Sequence, residues 1–157
     1  MIKNAKYVHT NLVARDWRKL ASFYQKVFGC VPVPPERDYE GEKMVALTGV
    51  DGATIQGVHL QMPGFGKGGP TLEIFEYGEE VEKGPSAINQ PGFAHIAFEV
   101  DSVEDARDEV LAHGGSALGG LVVLTIANGD KVTLIYMRDP EGNIFELQKW
   151  TREVLRA

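Results

Sequence analysis

The sequence predicts an α+β fold made of two βαβββ modules, residues 6–78 and 92–149, whose curved sheets form a cleft. A linker at 79–91 joins them, and a C-terminal tail at 150–157 completes a single 157-residue domain. Three observations predict this. The chain repeats itself: HTNLVA at 9–14 and HIAFEV at 95–100 each lead through a polar turn into a helical pattern that stops at Gly29 or Gly115, 20 residues after the histidine. Each half then closes on a strand with one glutamate among apolar residues, TLEIF at 71–75 and NIFEL at 143–147. Strand alternation, finally, sets the histidine and glutamate of each half on the face away from the helix-packing side chains.

Each element has its own justification. Residues 6–13 read as a strand and 16–28 as a helix: Asp16 is the N-cap, Leu20, Phe23, Tyr24, Val27 and Phe28 recur at helical spacing, and Gly29 is the stop. Pro32, Pro34 and Pro35 predict a break in regular structure. Three strands follow at 43–49, 54–62 and 71–77. PGFGKGGP at 63–70 holds too much glycine and proline for helix or strand and reads as a flexible loop in a position to act as a lid. Gly84, Pro85 and Pro91 mark the linker. The second half repeats the order: strand 93–100, helix 102–113 capped by Asp101 or Ser102 and stopped at Gly114 and Gly115, and strands near 121–127, 131–138 and 143–149. Asn128-Gly129 between apolar runs predicts a hairpin. Asp139 to Gly142 is a turn in which proline presets φ and glycine accepts a positive one. Residues 150–157 read as a short terminal helix.

Composition narrows the function classes. At 43% hydrophobic and 24% charged residues the chain is built to fold, which excludes a mainly disordered protein. No apolar run approaches the roughly 20 residues of a membrane span, and the first residues lack the apolar centre of a secretory signal. Cys30 is the single cysteine, so neither an intrachain disulfide nor a paired-cysteine zinc or redox site can form, and a cytoplasmic location is expected. A net charge of −6 without a basic cluster leaves no electrostatic footprint for nucleic acid.

Alternation then assembles a candidate site. His9, Asn11 and Val13 share one face of their strand; His95 lies opposite Ile96 and Phe98; Glu73, Phe75 and Tyr77 oppose Leu72 and Ile74; Glu146 and Gln148 oppose Phe145 and Leu147. His9, Glu73, His95 and Glu146 are candidate ligands of a divalent metal ion. Imidazole nitrogen and carboxylate oxygen suit Zn, Ni, Co, Fe or Mn, and the lack of thiolate disfavours a purely structural zinc. Four such ligands on an octahedral ion leave two positions for water or substrate. Asn11, Val13, Phe75, Tyr77 and Gln148 would line the substrate pocket. His59 lies in a strand and could offer another ligand or an acid, although a histidine satisfied within the sheet is the more ordinary role. His113 reads as a helix-end residue. Lys67 in the glycine-rich loop could meet an anionic substrate, with a solvated lysine as the ordinary alternative. Cys30 has no neighbouring base that suggests a nucleophile. The loop lacks the GK[ST] ending and following helix of a phosphate-binding loop.

The arrangement resembles the vicinal oxygen chelate superfamily, which includes glyoxalase I, methylmalonyl-CoA epimerase, extradiol dioxygenases, and fosfomycin and bleomycin resistance proteins. The resemblance covers roughly residues 6–149 and rests on the strand and helix from His9 to Gly29, on GFAHIAFEV at 92–100 and on RDPEGNIFE at 138–146. It implies the glyoxalase/bleomycin resistance/dioxygenase fold, a homodimer and a small-molecule substrate. It places the family's metal ligands on His9, Glu73, His95 and Glu146, with a glutamate at residue 73 as in glyoxalase I. Val13 and Tyr77 fall where the bacterial glyoxalase has its glutathione-contacting arginine and asparagine. The expected activity is that of a lactoylglutathione lyase-like metalloenzyme. It would move a proton beside a carbonyl through a metal-stabilised enediolate or enolate, with Glu146 as the first choice of base and Glu73 the second. The alternatives are a non-catalytic small-molecule or antibiotic binding protein of the bleomycin-resistance type, and an epimerase or dioxygenase of the same fold.

Overall fold

The computed structural model describes residues 1–152. The chain divides into two compact units, Met1–Lys83 and Gly84–Ala157. Each is a mixed sheet with helix on one face, so the molecule has the α+β class that the sequence predicts. Among the described residues no helix is long and apolar enough to cross a membrane.

The first unit runs β1 (His9–Val13), α1 (Trp17–Phe28), β2 (Val31–Tyr39), α2 (Glu42–Thr48), β3 (Ile55–Gln61) and β4 (Thr71–Tyr77). Its sheet has the order β1-β4-β3-β2, with β1 parallel to β4 and the other pairs antiparallel. Asp16 begins α1 by accepting a hydrogen bond from the Lys19 backbone N–H at 3.0 Å, and Gly29 ends it in the left-handed region at φ 67°. The helix sits against β3 and β4. It buries Leu20 with Val58, Leu60, Leu72 and Ile74, which all belong to one face of the sheet. The opposite face carries His9, Asn11, His59 and Glu73.

The second unit runs β5 (Ile96–Glu99), α3 (Val103–Ala112), β6 (Ser116–Ala117), β7 (Val122–Thr125), β8 (Lys131–Arg138) and β9 (Ile144–Thr151). Here β5 pairs parallel with β9, β9 antiparallel with β8, and both β6 and β7 pair with β8. Ser102 caps α3 through its hydroxyl, which accepts from the Asp105 N–H at 3.1 Å. Val103 and Val110 of α3, Ile135 and Met137 of β8, and Phe145 and Leu147 of β9 make the core. The turn into β9 is fastened by the buried Asp139. Its Oδ1 accepts from the Glu141 and Asn143 N–H groups at 3.0 and 2.9 Å, and its Oδ2 accepts from the Asn143 amide at 2.9 Å. The two units thus share one plan: first strand parallel to last, helix on the apolar face. The Asn128-Gly129 turn joins β7 to β8 as a hairpin, as its sequence predicts.

Two elements differ from expectation. The stretch 43–49, expected as a strand, is the helix α2. Glu42, Lys43, Met44, Ala46 and Leu47 are strong helix formers, and glycines bound the segment at both ends, Gly49 closing it at φ 69°. The proline-rich stretch, expected to break regular structure, is instead the edge strand β2. An edge strand leaves one row of N–H groups unpaired, so proline is tolerated there. The ladder with β3 still pays its due at the prolines: pairing holds at 31–33 and 37–39 and shifts register between Val33 and Arg37. Other differences are small. The first strands begin later, at His9 and Ile96; β6 is an additional two-residue strand; and Trp150 and Thr151 extend β9 rather than start a terminal helix. The rest of the expected terminal helix, 153–157, lies outside the described residues.

Candidate metal and substrate site

Glu73 lies on β4 between two strands that each present a histidine. On one side His59 of β3 stands directly opposite it in the antiparallel register. On the other, Asn11 of β1 is its register partner, and His9 lies two residues before Asn11, on the same face. The carboxylate meets all three. Its Oε1 is 2.8 Å from His59 Nε2, its Oε2 is 3.6 Å from His9 Nε2, and Oε2 accepts from the Asn11 amide at 2.9 Å. His59 is held from its other side, with Nδ1 3.1 Å from the Thr71 hydroxyl. The ligand atoms of His9, His59 and Glu73 lie within 4.8 Å of one another.

Burial holds the His59 pKa below the ordinary histidine value, with Arg37 and His9 adding to the lowering and Glu73 opposing it. His59 is therefore neutral near pH 7. Its contact with Glu73 is a hydrogen bond from an imidazole N–H rather than an ion pair.

The second unit repeats the pair. Ala97 of β5 is the register partner of Glu146 on β9, and His95 lies two residues before Ala97. His95 Nε2 is 3.6 Å from Glu146 Oε2, the same separation as in the first unit. Tyr136 of β8 faces Glu146 in the register position that His59 holds toward Glu73, and its ring lies 5.0 Å from the His95 ring. Within each unit the structure thus brings the expected histidine and glutamate together.

The candidate pocket residues have varied surroundings. Asn11 orients Glu73. Val13 is exposed at the end of β1. Phe75 is buried, with its ring edge-on to His59 at 5.9 Å and to Tyr39 at 6.4 Å. Tyr77 continues the Glu73 face, opposite Ile55. Gln148 accepts from the Trp150 indole N–H at 3.2 Å. His113 closes α3 through Nδ1, 3.0 Å from the Glu109 carbonyl, the helix-end role expected of it. Cys30 is buried, and burial pushes its thiol pKa up to about 11, the opposite of an activated nucleophile.

The donors fit a divalent ion. Imidazole nitrogens and carboxylate oxygens converge, partly shielded from water and without thiolate, which suits the Zn, Ni, Co, Fe and Mn group.

With the βαβββ-type plan present twice and a His–Glu pair in each copy, the class is that of an α+β protein built from two similar units. Residues 6–147 match the Glyoxalase/Bleomycin resistance protein/Dioxygenase superfamily, and the chain belongs to it. It is 29% identical to a lactoylglutathione lyase of Schizosaccharomyces pombe over 90% of its own length and 46% of that protein. It spans about half the length of the curated relatives it matches. Among solved structures, a glyoxalase family protein from Bacillus cereus is similar at TM-score 0.80 and 19% identity, over 97% of this chain and 99% of that one. The fosfomycin resistance protein FosX from Listeria monocytogenes, solved with Mn(II) and sulfate, is similar at TM-score 0.52 and 20% identity, over 98% and 97% of the two chains. At these identities the structures speak for the fold.

Proposed function

We propose that this chain is a metal-dependent lyase or isomerase of the glyoxalase type, which moves a proton beside a carbonyl of a small molecule. The observation that carries the reading is the repeated pair: His9 with Glu73 and His95 with Glu146, at matching register positions and at the same 3.6 Å. A protein that only sequesters an apolar drug has no use for two imidazole–carboxylate pairs on the faces away from its cores. The similarity to a lactoylglutathione lyase points the same way.

His9, Glu73, His95 and Glu146 are the residues that would hold the divalent ion. When bound, the ion would supply Lewis-acid polarisation of the substrate's carbonyl oxygen. The chain's own carboxylates then divide the remaining work. Glu73 is tied down by Asn11 on one oxygen and His59 on the other. At the corresponding places in the second unit stand Ala97, which has no side-chain donor, and Tyr136. Glu146 is therefore the carboxylate with the greater freedom to swing, and it takes the proton from the carbon beside the carbonyl and returns it to the neighbouring atom. Val13 and Tyr77 replace the polar contacts a glutathione carrier would need, so the substrate is a hemithioacetal, α-hydroxy carbonyl compound or thioester with a different carrier. The protein works as a homodimer in the cytoplasm.

The test is exchange of the substrate's α-proton in deuterated water, followed by NMR over a panel of hemithioacetals and acyl thioesters. Wild-type protein loaded with Ni, Co, Zn or Mn should catalyse exchange on at least one. Glu146→Gln keeps the shape but removes the base, and should slow exchange by about 10²–10⁴-fold. A wild-type protein that exchanges none of them, yet binds a small molecule intact, would favour the second reading: a binding protein on this fold. Val13 and Tyr77, which offer neither a guanidinium nor an amide at the carrier positions, are what keep that reading in view.

A further inference from the structure

We propose that Arg37 is the anion-binding residue of the substrate pocket, and that the substrate's carrier ends in a carboxylate or a phosphate held by its guanidinium. The inference rests on the glyoxalase-type reading above and deepens it, because it names the charge of the carrier.

Register puts Arg37 on the face that carries Glu73. The edge strand β2 pairs Val33 with His59, Arg37 with Gly57 and Tyr39 with Ile55. In turn β3 pairs His59 with Glu73, Gly57 with Phe75 and Ile55 with Tyr77. Register partners share a face of the sheet, so Val33, Arg37 and Tyr39 lie on the side of His59, Glu73, Phe75 and Tyr77. The register shift between Val33 and Arg37 matters here. In an unshifted ladder residue 35 would face Gly57; the shift brings Arg37 two residues nearer His59. Two strand spacings of about 4.8 Å and two residues of about 3.4 Å then put the Arg37 and Glu73 α-carbons about 12 Å apart. That span suits a small carrier with one end at the carboxylate and the other at the guanidinium.

The chemistry of Arg37 is that of an unfilled anion site. It is half-buried, and one of its five N–H donors is given to the Pro35 carbonyl. Among the described residues it makes no salt bridge, although a carboxylate stands on either side of it in sequence. Both carboxylates are engaged elsewhere. Glu36 pairs with Arg18 of α1 at 3.2 Å, and Asp38 accepts from the amide of Gln56, its register partner, at 3.4 Å. A guanidinium left without a carboxylate, in a chain with 22 acidic and 16 basic residues, presents its planar fork to an oxyanion from outside. Its surroundings supply the apolar part of a pocket. The Phe75 ring leans over Gly57, which has no side chain to displace it, and the Tyr39 ring lies edge-on to Phe75 at 6.4 Å. Beyond burial, the Arg37 charge helps lower the His59 pKa, so the guanidinium acts electrostatically on the same face. Val13 and Tyr77 offer no cation to a carrier, and Arg37 supplies from β2 the charge recognition those positions lack.

The binding test uses chelator-treated full-length protein, so that a probe anion has no metal to ligate. Calorimetry and proton–nitrogen NMR titrations compare phenylacetate, phenyl phosphate and the neutral phenylacetamide. At least one anion should bind more tightly than the amide, and the tighter of the two tells a carboxylate carrier from a phosphate one. Arg37→Met should lose about tenfold to a hundredfold of that affinity, the range of a hydrogen bond to a charged group. Arg18→Met removes the same charge beside Glu36 and should bind as wild type does. Should Arg37→Met not fold, the wild-type Arg37 Nε–H signal decides: it should shift with the anion and stay in place with the amide. Equal affinity for anion and amide, no binding of either anion, or equal losses in the two arginine variants overturns the proposal. A kinetic arm separates it from the reading it rests on. In metal-loaded protein, the KM for the hemithioacetal of mercaptopropionate, relative to that of its methyl ester, should rise about tenfold or more in Arg37→Met. Proton exchange with that ratio unmoved overturns the Arg37 assignment alone. Arg37-dependent anion binding in a protein that exchanges no α-proton upholds the anion site and overturns the lyase reading.

Discussion

Cys30 is buried because Gly29 turns the chain back at the end of α1, where the Cys30 N–H still reaches the Tyr24 carbonyl at 3.3 Å. Burial disfavours the thiolate and lifts the thiol to about 11. In the unfolded chain the same thiol ionises near 8.5. The unfolded state therefore sheds its proton first as pH rises, and stability falls between those two values, by at most about 3.5 kcal/mol at roughly 1.4 kcal/mol per unit. Denaturant midpoints measured at pH 8 and at pH 10.5 should fall more for wild type than for Cys30→Ala. An equal fall in both would remove the thiol as the cause. The candidate ligands divide by what alternation can and cannot reveal. His9, Glu73, His95 and Glu146 were legible in the sequence because each needs only the parity of its own strand. His59 needs more. Its role depends on which residue faces it across the β3–β4 ladder, and a loop as long as 62–70 permits registers that differ by two. Parity puts it on the right face; only the observed register sets it opposite Glu73.

The β3–β4 ladder is also where a small change at one residue becomes a change of element. Gly57 faces Phe75, and a Cβ there would press on the Ile74 carbonyl oxygen and lie 2.6 Å from the Phe75 ring. Gly57→Ala must push the strands apart or displace that ring, an overpacking cost of about 1–3 kcal/mol or more. Because His59 is two residues away on the same face, the variant should also weaken metal binding without removing a ligand. Leu72→Ala, on the opposite and fully buried face, is the control: it should cost about 2–5 kcal/mol in chemical denaturation and, where folded, leave metal affinity near the wild-type value. Equal effects of the two on affinity would break the link between the Gly57 packing and the site. Sequence reading was weakest at elements of this kind. The helix α2 buries none of its side chains, so no apolar periodicity marks it, and only its composition and flanking glycines identify it. The strand β2 carries three prolines that normally exclude strand, and its place at the sheet edge is a fact of topology that no local window contains. By contrast α1, with a capping aspartate, a buried apolar stripe and a terminal glycine, states all three signals locally, and it was legible to within a residue.

At the scale of the molecule, the repeat explains why most of the architecture was legible and also what remains to be tested. Each unit is about half of the chain, and a core of that size is modest for independent stability. The cores are accordingly compact: α1 over β3 and β4 in the first unit, α3 over β8 and β9 in the second. Apolar surface is left over. On β7, Val122, Val123 and Leu124 are 44%, 56% and 52% exposed, and Ile126 beyond the strand is 40% exposed. A run of large apolar side chains with that exposure is surface that burial against another chain would stabilise, at about 25 cal/mol per Å² removed from water. The expected state is therefore a homodimer. Multi-angle light scattering over a series from low to high micromolar concentration should give a mass twice the 17.2 kDa of the chain. Thermal stability should rise with protein concentration over the same series, since association adds to the stability of the folded state by mass action. A monomer mass at every concentration, with a concentration-independent melting temperature, would mean that each chain is stable on its own cores and that any metal centre is built from a single copy.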